Sequence, residues 1–148
     1  MRARAFPVWL VAALAAGALG EAQAAARIEG DWLAAGGDAK VRIGPCPAAP
    51  DRLCGAVVWL REPLDDDGTP RRDEKNPAPA LRSRPVIGLN LIRDFRPSGP
   101  GRWTGGRIYD PRDGRTYDAR LALKPDGTLK VDGCVLMFCR AQTWRRAP

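Results

Sequence analysis

Gly101-Arg102-Trp103-Thr104-Gly105-Gly106-Arg107-Ile108-Tyr109-Asp110-Pro111-Arg112-Asp113-Gly114-Arg115-Thr116-Tyr117-Asp118-Ala119-Arg120-Leu121-Ala122-Leu123 is the stretch that decides the fold. Its centre, Asp110 to Gly114, joins a proline of fixed φ to aspartates that bond their own backbone and a glycine that turns freely, so the chain reverses there. After the reversal Tyr117, Ala119, Leu121 and Leu123 alternate with Thr116, Asp118 and Arg120, the period of a strand with one buried face. The segment therefore predicts two antiparallel strands, 102–109 and 115–123. Simple alternation puts Trp103, Gly105, Arg107 and Tyr109 on one face of the first, with Gly105-Gly106 able to kink or bulge it.

The same habit continues in both directions. Short runs with β-branched or aromatic residues, set off by Gly, Pro and Asp, predict further strands at 30–34, 39–44, 54–60, 86–95, 128–133 and 139–146. Lys124-Pro125-Asp126-Gly127 supplies another tight turn. Eight strands joined in sequence point to an all-β fold, a small antiparallel up-and-down barrel, with residues 27–148 as one barrel domain. Strands of about seven residues make it short, so any cavity is expected to be small or confined to the mouth. One connection is long. Residues 61–84 carry Pro63, Pro70, Pro77 and Pro79 with Asp65-Asp66-Asp67-Gly68 and no periodicity, the composition of a lid, a binding loop or a disordered segment. The acidic triplet lacks the alternating ligands and closing Glu of a calcium loop and reads as a solvated turn.

The N-terminus has the build of an export signal. Arg2 and Arg4 precede an apolar run from Phe6 to Leu19, followed by small residues around Ala22, Ala24 and Ala26, so a signal peptide over 1–24 with cleavage near 24–26 is expected. The run is short of the ~20 apolar residues of a membrane span, so no transmembrane segment is expected after cleavage. This places the protein in the periplasm or secreted beyond it. All four cysteines, Cys46, Cys54, Cys134 and Cys139, follow the signal, and an oxidising compartment favours two disulfides. Local bridges, Cys46 to Cys54 and Cys134 to Cys139, are favoured over a link between distant strands, a choice that spacing alone leaves open.

Charge and composition exclude several functions. The formal net charge of +7 becomes +6 once Arg2, Arg4 and Glu21 leave with the signal. That surplus is dispersed among acidic residues, which argues against nucleic acid, while a polyanion or an envelope protein remains a possible partner. There is no histidine, so a metal site would have to be cysteine-only, and neither a metal nor another cofactor is expected. The same lack removes the commonest proton-transfer group. Ser83 and Ser98 are the only serines and the thiols are expected to be oxidised, so no enzyme is predicted. The nearest acid/base pair, Asp110 with Asp113, is explained by turn formation.

Two resemblances bear on the fold. Gly30-Asp31-Trp32 at the start of the first strand resembles the Gly-x-Trp signature of lipocalins and related calycin barrels. That resemblance implies a tryptophan closing one end under an arginine from near the last strand, a part open to Arg140, Arg145 or Arg146. A wider likeness runs through Leu53-Cys54-Gly55, Val58-Trp59-Leu60, Asp73-x-Lys75-Asn76-Pro77, Arg82-x-Arg84-Pro85-x-x-Gly88, the Gly101 to Tyr117 stretch, Gly133-Cys134 and Phe138-Cys139-Arg140-x-Gln142-Thr143-Trp144-x-Arg146. These motifs, in this order, are similar to a secreted bacterial family catalogued as domain of unknown function 2147. The resemblance implies an exported, lipocalin-like barrel and assigns no activity.

The expectation is a binding module for a small polar, anionic or amphiphilic ligand in the cell envelope. A structural or protein-interaction factor without a ligand is the alternative, and a carboxylate-based enzyme a second. The candidate ligand-binding residues are Arg84, Trp103, Arg107, Tyr109, Tyr117, Arg140, Gln142 and Trp144; Gly30, Trp32, Gly105 and Gly106 are candidates for structural roles. Arg140, Gln142 and Trp144 share one face of the last strand. Turned inward, they offer a forked cation, an amide and an aromatic wall.

Overall fold

The computed structural model describes residues 20, 23–24 and 27–148, so most of the expected signal and its cleavage region lie outside the described residues. Eight strands follow one another: β1 (Gly30–Leu33), β2 (Ala39–Cys46), β3 (Ala49–Leu60), β4 (Asn90–Gly99), β5 (Arg102–Asp110), β6 (Arg115–Leu123), β7 (Leu129–Val135) and β8 (Phe138–Arg146). Each pairs antiparallel with the next, and β8 returns to β1 through Trp32 opposite Arg146 and Leu33 opposite Arg145, closing the barrel. The closing seam is short, since β1 has four residues and meets the nine-residue β8 through those two pairs.

Alternation places the core. Val41 and Ile43 of β2, Ala119 and Leu121 of β6, and Leu129 and Val131 of β7 point inward with Trp32, Phe95, Trp103 and Trp144. One end is sealed. Trp32 is fully buried, its indole N–H donates to the Ile28 carbonyl at 2.7 Å, and the Arg146 guanidinium lies 4.2 Å from the ring centroid. Arg146 is therefore the arginine over the tryptophan, and it also donates to the Glu29 carbonyl at 2.6 Å and to that of Arg27. Gly30 makes room for it, since a Cβ there would sit 2.9 Å from Arg146 Nη1.

Two strand starts differ from expectation by four residues or more, and β4 runs on to Gly99 rather than 95. β3 begins at Ala49 rather than 54, because it opens as a hairpin with β2, crossed by the Cys46–Cys54 bridge. β4 begins at Asn90 rather than 86, because the chain turns at 86–89, where Leu89 N–H bonds Val86 O and Gly88 has φ +96°. The second bridge joins Cys134 to Cys139 across the β7–β8 hairpin, so both disulfides are the local ones.

Within β5 simple alternation fails. The register against β6 slips between Trp103 and Gly106, with Gly105 at φ +70°, which is a β-bulge. Trp103 and Gly106 consequently face the core, while Gly105 and Arg107 face solvent, so Arg107 does not share the inner face with Trp103. Gly106 admits no side chain, for a Cβ there would fall 2.2 Å from the buried Phe95 ring.

Candidate functional site

Up-and-down connectivity sends the β1–β2, β3–β4, β5–β6 and β7–β8 connections to one end of the barrel, opposite the end sealed by Trp32. At that open end lies a cavity of about 520 Å3. Val41, Val57, Leu60, Leu91, Ile108 and Trp144 supply its apolar wall, and Gln142 and Tyr109 also line it. Arg61, Arg71, Arg72, Lys75 and Arg112 stand around the rim with Asp38, Glu62, Asp65, Glu74 and Asp110. Much of this charge is internally matched. Arg71 pairs with Glu62 and Asp65, Arg112 with Asp110, and Arg61 donates to the carbonyls of Gly36 and Gly37. Arg72 and Lys75 form no ion pair among the described residues.

The long β3–β4 connection is an ordered wall of this mouth. Bridges at Leu64–Pro70 and Arg72–Pro85 and a 3-10 turn at Pro79–Leu81 organise it. Its keystone is Asp73, wholly buried, whose Oδ2 accepts from Arg84 Nε at 3.0 Å, Arg84 Nη2 at 2.9 Å and Asn76 Nδ2 at 2.8 Å, while Oδ1 accepts from the Tyr109 hydroxyl. Asn76 extends the network, accepting from Ala78 N–H through Oδ1 and from Arg82 Nε through its carbonyl. Tyr109 packs beside Val57, Val86 and Leu89, so a small second core ties the loop to the barrel. A buried carboxylate is tolerated only when paired and hydrogen-bonded in this manner.

Burial first, then the hydrogen bond to and the negative charge of Asp73, push the Tyr109 phenol up to about 12. Its folded pKa lies above the ordinary value of 10, so the stability it contributes is whole below pH 10 and lost as pH rises through about 12. In an ultraviolet difference titration the highest-pH phenolate step should vanish in Tyr109→Phe. An unchanged titration in that variant would refute the assignment.

The structure brings three of the eight candidate ligand-binding residues to the cavity: Tyr109, Gln142 and Trp144. Trp144 Nε1 donates to Gln142 Oε1 at 3.1 Å, which holds the amide in place and leaves its NH2 group for a ligand. Arg140, next on that face, is exposed beyond the cavity wall. Trp103 is buried in the core. Arg84 is committed to Asp73, Arg107 pairs with Asp118 outside the barrel, and Tyr117 donates to Asp113. The rim cations Arg72 and Lys75 and the wall residues Leu91 and Ile108 are the site residues that sequence reasoning missed.

The carboxylates of the β5–β6 turn have local duties. Burial disfavours the Asp110 anion, but hydrogen bonds from the Arg112 side chain and backbone prevail and hold its pKa below the usual carboxylate value. Asp113 accepts from Arg115 N–H at 2.9 Å and from Tyr117. Cys46, Cys54 and Asp94 come together, but both sulfurs lie in a disulfide and offer no thiolate to a metal.

The model of an uncharacterised protein family conserved in bacteria, DUF2147, matches residues 30–146. The chain belongs to the DUF2147 family. No curated protein matches the chain. Among solved structures it is similar to HP1028 from Helicobacter pylori, described as belonging to the lipocalin family, with 24% identity, a TM-score of 0.62, and coverage of 74% of this chain and 73% of that one. At that identity the likeness is one of fold. This DUF2147 member is thus a closed, eight-stranded, lipocalin-like barrel with two disulfides, which are consistent with an extracytoplasmic location.

Proposed function

We propose that the protein is an exported, non-catalytic binding module for a small amphiphile with an anionic head, acting in the cell envelope. The mouth cavity of about 520 Å3 carries this reading, because its size falls within the ~300–1,000 Å3 of small-ligand sites and its polarity changes with depth. An alkyl or aromatic body fits against Ile108, Leu91 and Trp144, with Gln142 as a hydrogen-bond partner. A carboxylate or phosphate head then sits among the rim cations, of which Arg72 and Lys75 form no ion pair among the described residues. At ~0.3 kcal/mol per heavy atom, a ligand of roughly 20 heavy atoms gains about 6 kcal/mol, an affinity in the tens of micromolar.

The experiment is a fluorescence titration with 11-dansylamino-undecanoic acid. Saturable one-to-one binding is expected, weakened at least ~10-fold by Ile108→Trp, which fills the wall. Arg72→Ser with Lys75→Ser should weaken the acid and leave its neutral amide unaffected. Absence of saturable binding, or binding indifferent to Ile108→Trp, would overturn the reading.

A further inference from the structure

The exposed large apolar side chains are not scattered over the molecule. Among the described residues they are Trp59, Leu64, Leu81, Ile87, Val135, Leu136, Met137 and Phe138, and all eight lie on strand ends or connections at the open end. Scattered single hydrophobes on a surface need no explanation, whereas a contiguous group marks an interaction surface. Half of these form one run. Val135, Leu136, Met137 and Phe138 make the tip of the β7–β8 hairpin and are 55%, 94%, 91% and 81% exposed.

The tip's backbone sharpens the point. Leu136 has φ +54°, the first position of a two-residue hairpin connection, where glycine or asparagine would be the stabilising choice. A leucine there bears a conformational penalty and buries almost nothing in the fold. The Cys134–Cys139 bridge lies at the base of the run and braces it, with Arg120 Nη2 3.4 Å from Cys139 Sγ. Arg115, Arg120 and Arg140 surround this corner of the mouth, and none forms an ion pair among the described residues. Two carboxylates share this wall, Asp118 opposite Cys134 and Asp132 opposite Arg120, and they pair with Arg107 and Lys130, while the acidic side chains of the β3–β4 loop stand across the barrel.

We propose that this tip docks the barrel, mouth first, onto a bilayer surface containing anionic lipid. The apolar run enters the interfacial region, and the arginines meet the headgroups. A braced convex tip suits insertion between lipids, whereas a protein partner would need an apolar recess fitted to it. Surface attachment by buried apolar area plus electrostatic attraction follows the physics of interfacial anchors. Docking depends on the outside of the mouth and stands whether or not the cavity holds a ligand.

The test is co-sedimentation of the full mature chain with vesicles of phosphatidylethanolamine and phosphatidylglycerol, with phosphatidylcholine vesicles as the neutral comparison. Binding to the anionic vesicles is expected, decreasing with added salt, and lowered at least ~10-fold by Leu136→Asp combined with Met137→Asp. Both side chains are almost fully exposed and Asp tolerates a positive φ, so the variant should keep the wild-type thermal transition. Ile108→Trp should bind vesicles as the wild type does, which separates docking from ligand uptake. No binding to anionic vesicles would overturn the proposal. So would equal binding by the double variant, which would reduce the effect to non-specific adsorption of a basic protein.

Discussion

Replacing Trp32 by Ala is expected to destabilise the barrel by about 3–5 kcal/mol, the range for deleting a fully buried large aromatic. The side chain fills the sealed end, where β1 and β8 meet through only the Trp32–Arg146 and Leu33–Arg145 pairs. Its loss opens a cavity at the weakest seam, leaves the Ile28 carbonyl without the indole donor, and frees Arg146 from the ring it covers. The stacked guanidinium adds ~0.5–2 kcal/mol, so Arg146→Ala should cost less than Trp32→Ala but act on the same seam. Urea unfolding followed by far-ultraviolet dichroism reads both. A loss under ~1 kcal/mol for Trp32→Ala would mean that the tryptophan does not close the barrel.

A different pattern is expected for Asp73→Ala. Here the damage is local to the mouth. Removing the carboxylate leaves Arg84, Asn76 and the Tyr109 hydroxyl without their shared acceptor. Breaking a buried pair in this manner costs ~3–5 kcal/mol; because Arg84 is about one-third exposed and can rehydrate, about 2–4 kcal/mol is the expected loss. Hydrogen exchange separates loop from barrel. Amides of residues 71–89 should exchange much faster, while those of Leu121 and Val131 on the far strands keep most of their protection. Uniform loss of protection would show that Asp73 supports the whole fold rather than the loop.

These two residues also show what was legible in the sequence. Trp32 could be read through the resemblance of Gly30-Asp31-Trp32 to the Gly-x-Trp of lipocalins, which implies a closing tryptophan under an arginine and left Arg140, Arg145 and Arg146 open for that part. Strand positions were legible on different grounds, since period-2 alternation and proline–aspartate–glycine turns are local signals. Asp73 could not be read in this way. Its burial depends on partners 3, 11 and 36 residues away, and no local pattern distinguishes it from the solvated Asp65-Asp66-Asp67 nearby.

The site was legible in part. Alternation along β8 brought out Gln142 and Trp144, but the bulge at Gly105 reversed the facing of Arg107, a slip that one extra residue is enough to cause. Arg72, Lys75 and Ile108 were missed although a signal existed. In an up-and-down barrel every second connection reaches the same end, so the 61–84 loop and the 110–114 turn had to share a mouth.

The most direct test of the binding reading uses the indole N–H signals of nitrogen-15-labelled protein. From residue 27 onward the tryptophans are Trp32, Trp59, Trp103 and Trp144, and they sample the sealed end, the outer face of β3, the core and the cavity wall. Titration with sodium decanoate should shift the Trp144 signal saturably and leave that of Trp32 in place. A Trp144 signal that stays still while decanoate is added to saturation, or shifts confined to Trp59 on the outer surface, would contradict a ligand seat in the mouth of the barrel.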